Sequence, residues 1–281
     1  MKVYIQTDIE GIAGFCFFEN RQDTTVENFN HRQRMRRLLT NEVNTAVEAA
    51  LDCGADEVLV NDSHGTGYNI IFEDLNPACR IIHGRNCSGP HWLPLLEGSD
   101  AMVLIGMHAM GGTPVSITPH SLWKVNGGAL YMSEGTMAAA IAGDLGIPAV
   151  FASGDDKITA EFREKIPGIE TVAVKQALAP FQACSMIPSR ACELIGKGVR
   201  SALKRRAEIA PYRIPGPVEL TLLDSDGHKP PLTEIMPAVT ADTISEAFWK
   251  YENAMPWTTF NQQLPDGFVY PSWKIGKKEN L

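Results

Sequence analysis

Residues 7–11 of the chain read Thr-Asp-Ile-Glu-Gly and place two carboxylates, Asp8 and Glu10, directly after an apolar run. Three more polar groups also follow apolar runs: Asn61-Asp62-Ser63-His64, His108 in GMHAMGG, and Asp155-Asp156 in SGDD. Residues i and i+2 of an extended segment share a face, so Asp8 and Glu10 are expected to aim together. Two converging carboxylates repel, and one takes up a proton unless a cation lies between them. Carboxylates mixed with imidazoles suit zinc better than magnesium, which prefers oxygen ligands; manganese, cobalt and iron remain as substitutes.

Four elements would have to position these groups. The runs Val3 to Thr7, Glu57 to Asn61, Ala101 to Met107 and Ala149 to Ser153 are continuous rather than alternating. That pattern marks parallel strands buried on both faces. Helical patterns lie between them. Asn28 to Ala55 carries an apolar stripe of Leu38, Leu39, Val43, Ala46, Val47 and Ala50, with Gly54 as a stop; Thr136 to Leu145 runs into Gly146-Ile147-Pro148. Alternating strands and helices predict an α/β fold with a mostly parallel sheet flanked by helices. In such sheets, ligands bind beyond the carboxyl ends of the strands, where all four polar groups fall. A further helix is expected over Ser189 to Ala210, then a linker in PYRIPGP. A smaller C-terminal α+β unit follows, with strand VELTLL, turn DSDGHKPP, helix DTISEAFWKYENAM and an irregular tail from Gln263. The expected domains are 1–185, catalytic and metal-binding, and 186–281, the linker helix with the smaller unit. No internal repeat is present.

Some of these residues have ordinary roles as well. Asp62 reads as a turn former or cap. Asp155-Asp156 fits equally a cap for the helix starting near Ile158 and a group behind the ligands. His83 and His91 suit surface or packing positions, and His228 a turn. Arg32, Arg34, Arg36 and Arg37 make a basic helix face of the solvated or subunit-contact kind.

Composition narrows the function. The 281 residues are 44% hydrophobic, enough for a sizeable core, and carry a net charge of −8 with pI near 5.4. An acidic balance argues against nucleic acid or an anionic membrane as partner. Cys16, Cys53, Cys79, Cys87, Cys184 and Cys192 show no zinc-finger spacing and are expected as buried free thiols. The chain runs from Met1 straight into a strand, and no apolar run reaches membrane-spanning length, so a cytoplasmic location is expected. GxGxxG, GxxxxGK[ST], HExxH and GxSxG are all absent, which disfavours nucleotide binding, a thermolysin-like site and a serine hydrolase.

With those residues assembled, the chain resembles the binuclear zinc D-aminopeptidase family. The likeness rests on TDIEGIAG at 7–14, LVNDSHG at 59–65, IGMHA at 105–109, TPHS at 118–121, SEG at 133–135, IPAVFASGDD at 147–156 and VAVKQ at 172–176. It covers residues 1 to about 180 and is fainter beyond. Position by position it implies metal ligands at Asp8, Glu10, His64, His108 and Glu134, and a catalytic histidine at His120. Without the resemblance, Glu134 reads as an acid at a helix N-terminus. The chain departs from the family pattern at Cys16-Phe17-Phe18, at Leu122-Trp123-Lys124 and beyond Gln263, which leaves substrate identity open.

The resemblance implies a metal-dependent aminopeptidase or amidase with two Zn2+ ions per chain, and Asp8 is the expected shared ligand. A zinc-activated hydroxide would release the N-terminal residue, a D-amino acid or glycine, from short peptides or amides. His120 would stabilise the oxyanion or protonate the leaving amine, and Asp62 would orient His64. The resemblance further implies a ring-like homo-oligomer, with a decamer as one form. Three rival readings stay open: a binuclear hydrolase of a phosphoester or non-peptide amide, a metal-free carboxylate pair as in glycosidases, and a non-catalytic module with structural zinc. The third is disfavoured because no cysteine joins the cluster.

Overall fold

Strands buried on both faces need cover on both sides, and the chain supplies it in three layers. The computed structural model describes residues 1–18, 23–65, 67–84, 92–224 and 233–254. Among these, β1 (Lys2–Thr7), β2 (Glu57–Asp62), β3 (Arg80–Ile82), β4 (Ala101–Met107), β7 (Ala149–Asp155), β8 (Glu170–Ala179) and β9 (Gln182–Ser185) form one sheet in the order β3-β2-β1-β4-β7-β8-β9. All neighbours are parallel except the edge pair β8–β9. The four strands expected from the apolar runs are β1, β2, β4 and β7, and they make the centre of this sheet.

Strand alternation divides the core in two. Val3, Ile5, Val58, Val60, Val103 and Ile105 face α1 (Val26–Asp52) and α4 (Pro188–Lys204). The expected stripe of α1 lies on that face, with Leu39, Val43, Ala46, Val47 and Ala50 buried and Leu38 partly buried. Each fully buried aliphatic side chain contributes about 1.5–3 kcal/mol. Tyr4, Leu59, Met102 and Leu104 face the other way, against α2 (Glu134–Asp144), α5 (Ile244–Ala254) and a second sheet.

The second sheet is antiparallel: β5 (Leu122–Val125), β6 (Leu130–Met132), β10 (Val218–Asp224) and β11 (Thr233–Glu234) in the order β11-β10-β5-β6, with β12 (Val239–Ala241) also on β10. It draws strands from both sides of residue 185, because β10 pairs with β5. The linker helix packs on α1 rather than standing apart, and ends at Lys204 with a short 3-10 turn over Arg206–Glu208.

The cysteines and the helix starts depart from expectation. The described cysteines, Cys16, Cys53, Cys79, Cys184 and Cys192, are free but none is fully buried, and Cys184 is exposed. Helices α1 and α2 each begin two residues before their expected starts, because Thr25 and Ser133 accept backbone N–H groups as caps. The expectations on Cys87, His91, most of the DSDGHKPP turn with His228, and the tail from Gln263 lie outside the described residues. No helix of the described residues is long and apolar enough to cross a membrane.

Candidate metal centre

The sheet order reverses direction between β1 and β4: the chain leaves β1 for β2 on one side and comes back to β4 on the other. A crevice forms at such a point, beyond the carboxyl ends. Asp8 and Glu10 follow β1, His64 follows β2 and His108 follows β4.

Asp8 and Glu10 converge, but not by strand alternation. The chain leaves the sheet at Asp8 and turns over the end of β4, with Asp8 N donating to Ile105 O and Gly11 N to Gly106 O, both at 2.8 Å. Both carboxylates accept from the single backbone N–H of Ile9, Asp8 at 2.8 Å and Glu10 at 3.3 Å. Two glycines permit this approach. A Cβ at Gly106, whose φ is +74°, would lie 2.2 Å from Asp8 O, and one at Gly11 would lie 2.0 Å from Met107 O. From α1, the Glu42 carboxylate accepts from Ala13 N at 2.8 Å.

After β4 the loop 108–121 carries His108 and His120. Val115, Thr118 and Ser121 all take left-handed φ values there, 47°, 41° and 53°. Such backbone costs about 1–3 kcal/mol per residue and persists only where surroundings impose it. Asp155 imposes part of it: one oxygen caps α3 (Asp156–Lys165) through Lys157 N and Ile158 N, and the other accepts from Ile117 N at 3.4 Å. The β5–β6 hairpin then returns the chain to the crevice. Ser133 caps α2, and Glu134, its first residue, accepts from Ser121 Oγ at 2.5 Å.

All six candidate side chains meet. His64 Nε2 lies 3.3 Å from Glu10 Oε1, and His108 Nε2 lies 3.5 Å from Asp8 Oδ2 and 3.9 Å from Glu134 Oε1. His120 Nε2 is 3.7 Å from Glu10 Oε1 and 3.8 Å from Glu134 Oε1, with its ring stacked on His108 at 3.9 Å. Three trios could each hold an ion, their donor atoms within 4.8 Å of one another: Asp8-Glu10-His64, Asp8-His108-Glu134 and Glu10-His108-His120.

In each ring Nδ1 is committed to an oxygen that can only accept: His64 to Asn69 Oδ1 at 3.1 Å, His108 to Ala109 O at 2.8 Å, His120 to Thr118 O at 2.9 Å. In the neutral ring the proton therefore sits on Nδ1, which leaves the Nε2 lone pair to face the cluster, the tautomer a metal ligand needs. Asp62 does not touch His64, contrary to expectation. It accepts from Asn69 Nδ2 at 2.7 Å and from the backbone of Asn69 and Ile70, so its hydrogen bonds reach His64 through Asn69, while its charge adds to the upward push on the imidazole.

The electrostatics fit a cation. Burial and the charge of Glu10 push the Asp8 carboxyl well above the usual range. Burial alone would do the same to Glu10, but the charge of the adjacent His64 and the closeness of Asp8 hold it well below. For His64 burial acts downward, and Glu10 outweighs it to reach about 9. Burial and the neighbouring His120 push His108 down. Protons on Asp8 and His64 thus offset the carboxylates, and a divalent cation would displace both. Glu10 Oε1 and His108 Nε2 are buried with no hydrogen-bond partner. Atoms left so would be costly in a site not built to coordinate something.

His83 packs beside Tyr68 and Phe72, away from the cluster. Arg36 reaches Ile70 O from α1. Asn69, Ser121 and Glu42, which hold the candidate ligands or their turn, are invisible to spacing rules, because each joins its partner through folding rather than through a motif.

Peptidase family M55, described as D-aminopeptidase, matches residues 1–260. A D-aminopeptidase of Bacillus subtilis (strain 168) is 29% identical over 225 residues, which covers 76% of this chain and 78% of that protein. The solved structure of the Zn-dependent D-aminopeptidase DppA from Bacillus subtilis, a self-compartmentalizing protease, is similar with a TM-score of 0.75 at 26% identity. That likeness spans 88% of this chain and 94% of the other.

Proposed function

The chain belongs to the D-aminopeptidase family, peptidase M55, and from that premise we propose that it is a zinc-dependent aminopeptidase acting on short peptides or amides with a D-residue or glycine at the amino end. Asp8, Glu10, His64, His108 and Glu134 would hold two Zn2+ ions, with His120 as the catalytic residue. The observation that carries this reading is the meeting of three carboxylates and three inward-facing Nε2 atoms, with Glu10 Oε1 and His108 Nε2 buried and otherwise unpartnered. Asp8 belongs to two trios that together contain all five proposed ligands, which supports it as the shared one.

When bound, zinc supplies Lewis acidity, which makes water acidic enough to attack near neutral pH and polarises the scissile carbonyl. The remaining work falls to side chains. The His120 side chain is 40% exposed, against 18% for His64 and 1% for His108, so it stands on the open side of the cluster where substrate arrives. With Nδ1 bound to Thr118 O, its Nε2 donates only from the doubly protonated ring. In that form it can hydrogen-bond a developing oxyanion or hand a proton to the leaving amine. Phe18 stacks on His64 at 5.6 Å and offers an apolar wall for the side chain of the first residue. The Bacillus subtilis neighbour is a self-compartmentalizing protease. The chain assembles as a ring-like homo-oligomer in this reading, with a decamer as one form. Exposed Leu178, Phe181 and Ile187 around the β8–β9 edge support it.

The test is hydrolysis of D-alanine and L-alanine p-nitroanilides before chelation, after chelation and after zinc is returned. Cleavage of the D-anilide that disappears with chelator and returns with zinc is expected. Full activity after exhaustive chelation, or cleavage of neither anilide, would contradict the reading.

A further inference from the structure

The turn that presents Asp8 and Glu10 is neither strand nor helix, so its shape must be set from outside. Lys175 sets much of it. This residue lies in β8, on the far side of β4 and β7 from β1, and is 2% exposed. Its ammonium donates to the backbone carbonyl of Glu10, to Ile12 O at 3.0 Å and to Phe15 O at 2.8 Å. An ammonium has three hydrogens, and all three are used. The Phe15 ring also packs 5.3 Å from it. Without Lys175, the Glu10 and Phe15 carbonyls would face a buried space with no donor, and Ile12 O would keep only Phe15 N at 3.3 Å.

We propose that Lys175 is the positioning residue of the metal centre, clasping the turn from Glu10 to Phe15 so that the Glu10 carboxylate is aimed before any metal arrives. The inference rests on the reading of Glu10 as a zinc ligand. Of Glu10, Lys175 touches the backbone and not the carboxylate, and it is buried away from the open side of the cluster, so it acts through the ligand and not on the reaction. Two effects of its charge compete. A fixed positive charge behind the carboxylates repels a divalent cation, whereas fixing the ligand favours one. The three directed hydrogen bonds decide for the second, since partners that orient ligands are worth about 10–100-fold in metal affinity.

The test uses the full-length protein with zinc and with cobalt, whose visible absorption reports ligand geometry. Lys175→Met removes the donors at similar length, and Lys175→Ala leaves room for an added ammonium ion among the carbonyls. Zinc affinity of Lys175→Met is expected to fall by about 10–100-fold, with an altered cobalt spectrum and a loss concentrated in kcat rather than KM. Ammonium chloride is expected to restore part of the affinity in Lys175→Ala, where tetramethylammonium chloride at equal ionic strength does not. Unchanged zinc affinity and cobalt spectrum with only a lower melting temperature would overturn the proposal, as would tighter zinc binding. Failure of both variants to fold would mark Lys175 as a residue of fold stability and overturn it equally. A wild-type chain that takes up no zinc overturns this inference together with the reading of the site. A wild-type chain that loads, beside variants that load equally well, overturns this inference alone.

Discussion

Replacing Glu42 with glutamine should change how stability depends on pH, by an amount the structure sets. Glu42 sits on the buried face of α1, with one oxygen accepting from Ala13 N and the other without a partner. Burial pushes its carboxyl up to about 7, against the smaller opposing effects of the Ala13 N–H and the Lys175 charge. In the unfolded chain it titrates near 4.5. Between those values the folded protein binds the proton and the unfolded chain does not, so this group's contribution is fully present below 4.5 and is lost as pH rises through 7. The gap of about 2.5 pH units corresponds to about 3 kcal/mol. Glutamine cannot ionise, and its carbonyl can still accept from Ala13 N. Its amide N–H groups meet the same unpartnered space, at a fixed cost of about 1–3 kcal/mol at every pH. That offset cancels when only the pH dependence is compared. The assay is urea unfolding of wild type and Glu42→Gln, metal-free and at equal protein concentration, from pH 4.5 to 7.5. The difference in stability should move by about 3 kcal/mol in favour of the variant across that range. Curves that stay parallel would refute the placement of an ionisable group in this unsolvated position.

His120→Ala should keep its zinc and lose turnover by roughly 10²–10⁴-fold, the range of a lost general acid; loss of metal instead would make His120 a ligand. Asn69→Ala removes the acceptor that fixes the His64 ring, and zinc affinity by competition with a chromophoric chelator should fall by about 10–100-fold. Gly106→Ala places a Cβ against Asp8 O; thermal melting should show destabilisation of at least about 1–3 kcal/mol, and an unchanged melt would disprove the close approach of the Asp8 turn to the end of β4.

How far the sequence could be read follows from how far each constraint reaches along the chain. The central strands were legible because covering a strand on both faces demands an unbroken apolar run, as in AMVLIGM. The rule that polar groups at strand ends meet in one crevice then located Asp8, Glu10, His64 and His108. Asp8 and Glu10 converge as expected, but through a turn held by hydrogen bonds to Ile105 and Gly106 rather than through strand alternation. Glu134 was visible only through the family likeness. Its approach depends on the β5–β6 hairpin, whose one local signal is Asn126-Gly127-Gly128 between two short apolar runs. Lys175, Glu42 and Asn69 could not be placed from spacing. Lys175 lies 165 residues from Glu10, and no local pattern reports such a pairing.

Diffraction from zinc-loaded crystals on either side of the zinc absorption edge tests the central claim most directly. Two anomalous peaks are expected, one among Asp8, Glu10 and His64 and the other among Asp8, His108 and Glu134, with His120 Nε2 outside bonding distance of both. No peak within this cluster, or zinc bound only elsewhere on the chain, would contradict it.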